Sequence, residues 1–319
     1  MKKIIAFILS LLIILSLTGC TTGNSAKNNK INIVTTIFPL YDWLRALTEN
    51  SENVNITMLI DSGVDLHSFE PSVEDIVKIS SSDMFVYVGG ESDKWVGDAL
   101  KENKNNDLIS LNLFETLGEK KLQEELKEGM QGEEEEEAEE TEYDEHIWLS
   151  LKNAKVLCEA ICEDLCIADT KNAQIYRKNY EAYLAELDSL DNQYEKAVSE
   201  SKNKTLVFGD RFPFRYLTED YGIDYYAAFI GCSAESEASF KTVAFLANKV
   251  DDLGLNSIIK IESSDGLIAK TVNENTKNKS AKILTLNSMQ SLTSNDIKDG
   301  QTYIGICRQN LKVLREALN

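Results

Sequence analysis

Residues 172–200 carry Ile175, Tyr176, Tyr180, Tyr183, Leu184, Leu187, Leu190 and Tyr194 at three-and-four spacing, with no Gly or Pro among them. That spacing predicts one amphipathic helix, and at 1.5 Å per residue it runs ~42 Å, the width of a whole domain. A rod of that length limits how far the segments on either side of it can swing. Each side shows the same alternation. Strand patterns fall at 31–36, 54–60 and 84–88 before the rod, and at 205–208, 225–229, 257–261 and 282–286 after it. Helical patterns interleave at 40–48, 72–79, 214–221, 237–253, 267–276 and 303–318. Ser72, three residues before Asp75 and directly after Pro71, has capping-box spacing. Alternating strands and helices imply parallel sheets covered on both faces. The expected class is α/β, with two lobes, each a mainly parallel sheet flanked by helices, joined by one long rigid backbone helix. The divisions are a first lobe at 31–170, a linking helix at 171–200 and a second lobe at 201–319.

The first twenty residues read as a targeting segment. Lys2 and Lys3 precede an apolar run from Ile4 to Leu17, and Leu17-Thr18-Gly19-Cys20 closes it with small residues and a cysteine. The run is shorter than the ~20 residues a spanning helix needs. Its ending resembles a bacterial lipobox, which implies cleavage before Cys20 and a lipid on that cysteine. Residues 21–30 are polar and read as a flexible tether. The mature protein is thus expected outside the cytoplasmic membrane, anchored to it.

A formal charge of −20 is the wrong sign for a phosphate backbone, so nucleic acid is excluded as a partner. Cations or basic surfaces suit it better. Cys158, Cys162 and Cys166 share one face of an amphipathic segment. Adjacent helical turns suit a disulfide poorly, so these cysteines, with Cys232 and Cys307, are expected to pack as small hydrophobes.

Ligands of open α/β sheets bind at the carboxyl ends of strands. The chain holds only two histidines, His67 after the second strand and His146 before the helix containing Cys158. Asp210, Glu262 and Asn287 follow strands of the second lobe. Imidazole with carboxylate oxygen is a donor set for zinc or manganese. No HExxH, nucleophile elbow or phosphate loop is present, so no enzyme chemistry is expected.

The lipobox, Val34-Thr35-Thr36-Ile37-Phe38-Pro39, the segment from Gly63 to Ser72, Asp144-Glu145-His146-Ile147-Trp148 and the long helix together resemble the zinc/manganese solute-binding lipoproteins of ABC transporters (cluster A-I). The resemblance implies one metal ion in the cleft between two lobes, passed to a membrane permease by a monomeric protein. It places His67 and His146 at the family's first two ligand positions. In the second lobe the pattern departs: Gly209 stands where a His or Glu is usual, and Asn287 where an Asp is usual. The expected metal ligands are therefore His67, His146, Asp210 and Glu262, with zinc ahead of manganese as cargo.

Between Glu133 and Glu145 lie ten acidic residues in thirteen. The loop 118–145 contains them; it is expected to be poorly ordered from about Gly118 to Tyr143 and to attract divalent cations weakly, through its field. Two other functions are compatible with the residues. A surface metal-dependent hydrolase would turn over an ester or peptide, and an adhesin using the acidic loop would bind a basic partner without either histidine.

Overall fold

In a computed structural model the chain is described over residues 30–319, apart from 102, 104, 133–141 and 234–236. Cys20, nearly all of the tether and most of the acidic run lie outside the described residues.

The first sheet holds β1 (Ile31–Thr35), β2 (Val54–Met58), β3 (Met84–Tyr87) and β4 (Ile109–Asn112), all parallel, in the order β2-β1-β3-β4. The second holds β5 (Thr205–Phe212), β6 (Asp224–Ile230), β7 (Ser257–Ile261) and β8 (Lys282–Leu286), all parallel, in the equivalent order β6-β5-β7-β8. Each sheet therefore reverses its winding beside its first strand, which opens a crevice at the carboxyl ends of the strands. β4 is not legible in the sequence, being a half-buried edge of four residues with too little periodicity to stand out.

Helices α1 (Phe38–Leu47), α2 (Val73–Ser80), α3 (Trp95–Lys101), α4 (Leu113–Thr116) and α5 (Leu151–Ala168) belong to the first lobe. Pro39 sits in the first turn of α1, where its missing N–H costs nothing. Ser72 and Asp75 form the expected capping box on α2. Ser72 Oγ accepts the Asp75 N–H at 3.2 Å, and the Asp75 carboxylate accepts the Ser72 N–H at 3.0 Å. The long helix is α6 (Ala173–Ser199), and α7 (Arg215–Tyr221), α8 (Phe240–Asp252), α9 (Leu267–Asn275), α10 (Ser294–Lys298) and α11 (Tyr303–Ala317) complete the second lobe.

α6 buries Tyr176, Tyr183, Leu187, Leu190 and Tyr194. It is bonded to both lobes: Asn179 donates to the carbonyls of Leu47 and Glu49, and the Tyr194 hydroxyl donates to the Cys307 carbonyl at 2.6 Å. One continuous apolar cluster joins Ile33 and Trp43 of the first lobe, Leu187 and Tyr194 of the rod, and Phe208 and Leu314 of the second. Opening the lobes widely would expose this shared core at about 25 cal/mol per Å², so α6 and its packing favour small movements. Cys158, Cys162, Cys166 and Cys307 are free thiols buried in the same cluster, as their apolar setting predicts.

Two local features differ from the sequence reading. β5 does not stop at Phe208 but continues to Phe212, with its register against β6 shifting between Phe208 and Arg211. Gly209 permits this, because a Cβ there would lie 2.4 Å from the Ala269 Cα of α9. In the acidic insertion, residues 118–132 are not loose. Leu122 N–H donates to the Tyr216 hydroxyl at 3.1 Å, Gln131 N–H to the Ala228 carbonyl at 2.9 Å, and Gln123 bridges Tyr143. Over 118–132 four glutamates are nearly balanced by three lysines, so little repulsion opposes these bonds to the second lobe.

Candidate metal centre

His67 lies on a 3-10 turn, Leu66–Ser68, in the loop after β2, and the Asp65 carboxylate fixes that turn by accepting the His67 N–H at 3.1 Å. His146 is fully buried at the start of a second 3-10 turn, Ile147–Leu149. Cys232 follows Gly231 just beyond β6. One ligand atom from each of His67, His146 and Cys232 falls within 4.8 Å of the others. A Cβ on Gly231 would come within 3.0 Å of the His146 ring and 2.9 Å of the Phe212 carbonyl, so only glycine lets this strand end approach the imidazole so closely.

The two Nε2 atoms are 3.2 Å apart. Two imidazoles binding one tetrahedral zinc at ~2.0–2.1 Å would hold their nitrogens ~3.3 Å apart. The imidazoles are thus already spaced for a shared ion. Each turns its other nitrogen away from that point. His67 Nδ1 lies 2.7 Å from Ser92 Oγ and 2.9 Å from the Glu145 carboxylate, and His146 Nδ1 lies 3.1 Å from the Asp144 carboxylate. A proton held on each Nδ1 leaves both Nε2 lone pairs for a metal. Ser92 in turn bonds Glu145 through its N–H, at 2.9 Å, and through its hydroxyl. The consecutive carboxylates Asp144 and Glu145 therefore each orient one imidazole.

Burial, followed by the electrostatic effect of the neighbouring His67, lowers the His146 pKa to about 3, so its imidazole is neutral at ordinary pH. Burial raises Asp144 to about 8, and burial with the Asp144 charge raises Glu124 to about 8. Burial also pushes Glu145 upward, but its bonds to His67 and Ser92 outweigh that, and its pKa is lowered. The Cys232 thiol is raised, first by burial and then by the charges of Glu145, Asp144 and Glu124. Without a cation the thiol keeps its proton, and a bound cation would displace it.

These shifts give the metal-free protein a pH dependence. A carboxyl raised in the folded state contributes stability below its unfolded pKa that is lost as pH climbs through its folded pKa. For Asp144 and Glu124 that loss runs from about 4 up to about 8. The depressed His146 acts oppositely, with stability present above 6.5 and lost as pH falls toward 3. Between pH 6.5 and 8 only the carboxyl loss operates. Chelator-treated protein is expected to melt at lower temperature at pH 8 than at pH 6.5, and Asp144→Asn to flatten the slope. A melting temperature that rises over this interval would contradict the assignment.

The structure brings His67 and His146 together but directs the other two expected ligands elsewhere. Asp210 lies inside β5, where the extension of the strand turns its carboxylate to the ladder. It accepts the Ile261 N–H of β7 at 3.2 Å and the Arg211 N–H at 2.9 Å. The Glu262 carboxylate accepts the Ser288 N–H at 2.7 Å and the Ser288 hydroxyl at 2.9 Å, pinning the end of β7 to the loop after β8. Neither carboxylate belongs to the donor group. Asn287 supports its own loop, its side chain accepting the Met289 N–H at 2.8 Å. Cys232 is the candidate donor that sequence reasoning passes over. It stands just after a strand, the placement that singles out the other candidates, but its residue type suggests packing.

A model of the family described as "Zinc-uptake complex component A periplasmic" (ZnuA) matches residues 33–317. The chain is 32% identical over 320 aligned positions, 99% of its length, to the "Zinc-binding lipoprotein AdcA" of Streptococcus pneumoniae, and it spans 61% of that longer relative. It is 29% identical to the "High-affinity zinc uptake system protein ZnuA" of Bacillus subtilis, covering 93% of this chain and 91% of the relative. The Zn(II)-bound ZnuA-like domain of S. pneumoniae AdcA superposes with a TM-score of 0.71 at 29% identity, over 91% of this chain and 99% of the domain. With the match running through both sheets and the long helix between them, the chain belongs to the ZnuA family of zinc-uptake solute-binding proteins.

Proposed function

We propose that this protein captures zinc, in preference to manganese, in the cleft between its lobes and delivers it to the permease of an ABC transporter. The ligands are His67 Nε2, His146 Nε2 and the Cys232 thiolate, with a fourth position open to water. The spacing of the imidazole nitrogens, 3.2 Å, carries this reading. Thiolate and imidazole select zinc, whereas a site for manganese would offer mostly oxygen. Asp144 and Glu145 orient the imidazoles, and Asp210 and Glu262 hold the second lobe's strand ends. The protein performs no covalent chemistry, acts as a monomer outside the cell membrane, and is tethered by lipid on Cys20. That tether agrees with the lipoprotein name of its streptococcal relative.

Calorimetric titration of chelator-stripped protein tests the proposal. One zinc per chain is expected, with proton release as the thiol ionises, and weaker binding of manganese. No uptake of zinc, or tighter binding of manganese than zinc, would overturn it.

A further inference from the structure

The loop that carries His67 is fastened to the second lobe at two places. At its start, Ser62 bridges Thr293, and the Asp61 carbonyl and carboxylate accept the N–H and hydroxyl of Ser294 at 3.1 and 3.0 Å. Further on, the Asp65 carboxylate divides its two oxygens between the lobes. Oδ1 takes the His67 N–H, and Oδ2 pairs with the Arg211 guanidinium near the end of β5. Both side chains are largely shielded, at 16% and 19% exposure for Arg211 and Asp65, so water screens this pair less than it would a surface pair. Arg211 lies opposite Phe229 in the β5–β6 ladder, and β6 leads directly to Gly231 and Cys232. One carboxylate thus links the backbone of a first-lobe ligand to the strand pair that delivers the second-lobe ligand.

We infer that the Asp65–Arg211 ion pair is an interlobe clamp that positions His67 over Cys232 and sets the rate at which zinc leaves. This rests on the metal-binding reading of the site. His67 and Cys232 are both partly exposed, while His146 is fully buried. Parting these two donors opens the way out, and lifting the His67 loop away from Cys232 requires the guanidinium to let go of Asp65. Arg211 and Asp65 are positioning residues and do not themselves touch the ion.

The sign of one substitution separates the clamp from a purely electrostatic role. The Arg211 charge reaches the site, where it disfavours a positive His146. If its field alone mattered, a neutral side chain would make zinc bind more tightly and leave more slowly. A clamp predicts the reverse. Zinc release from loaded full-length protein into a chromogenic chelator is followed by stopped flow for wild type, Arg211→Met and Arg211→Lys. The expected result is release about tenfold faster in Arg211→Met, less than truncating a fully buried charge pair costs because this pair keeps some exposure to water. Substantial recovery is expected in Arg211→Lys. Unchanged or slower release from Arg211→Met, or no recovery with lysine, overturns the clamp while leaving the metal site standing. A wild type that takes up no zinc overturns both.

Discussion

Replacing His67 by Ala lowers zinc affinity by more than ~100-fold, beyond the ~10–100-fold that loss of an outer hydrogen-bond partner causes. The imidazole is largely shielded but, unlike His146, still reaches solvent, so its removal opens a gap that water can enter and not a sealed core void, and the fold should survive. His146→Ala is expected to abolish tight binding as well. It also removes a fully buried ring that touches Trp148 edge-on at 5.3 Å, so lower stability accompanies it. Glu145→Gln should fall between these and wild type, because it weakens the orientation of His67 Nδ1 without removing a ligand. Asp210→Asn and Glu262→Gln are the contrasting pair, since both carboxylates are engaged in backbone bonds away from the donor group. Their zinc affinity should stay within about threefold of wild type, well under the loss from a ligand. Competition titration against a chelator of known affinity reads all of these on one scale, and an Asp210→Asn loss as large as that of His67→Ala would restore Asp210 as a ligand.

Cys232→Ser changes which metal is held. The hydroxyl is close in shape to the thiol but does not ionise at neutral pH, so the bound ion loses its one anionic ligand and its one soft ligand together. Zinc affinity is expected to fall ~100-fold, as a direct ligand loss at or above the scale of outer-sphere changes, while manganese, which gains less from soft sulfur, loses less. Cobalt offers an independent readout. The wild-type cobalt complex should show a sulfur-to-metal charge-transfer band in the near ultraviolet that is missing from Cys232→Ser. The same band in both proteins would mean that the thiol stays out of the first shell.

The gross architecture was legible in the chain because its signals are local. The apolar spacing of the long helix, the seven strand patterns and the Ser72–Asp75 box each depend on residues within a few positions of one another, and each corresponds to an element of the fold. The four-residue edge strand β4 escaped because it is too short and too exposed to show a period. The two histidines were legible through scarcity and through their motif company. Asp210 and Glu262 share the position of ligands at strand ends, but the bulged extension of β5 and the hydrogen-bond demand of the Ser288 loop take up their oxygens.

Residue order alone set the parallel sheets, the rod between them and the presence of two imidazoles on loops of the first lobe, because spacing along the chain encodes which face is apolar and which side chains stand at strand ends. Only the tertiary structure decided that the Cys232 thiol comes within 4.8 Å of the two imidazole nitrogens, that Glu145 turns to His67 while Asp144 faces its near neighbour His146, and that Arg211 reaches Asp65 across the cleft. The two histidines lie 79 positions apart and Asp65 and Arg211 146, whereas Asp144 stands only two residues from His146, and the close approach at Gly231 depends on a residue with no side chain to signal it. Coordination geometry is fixed to tenths of an ångström by packing of distant segments, and no local pattern carries distances of that kind.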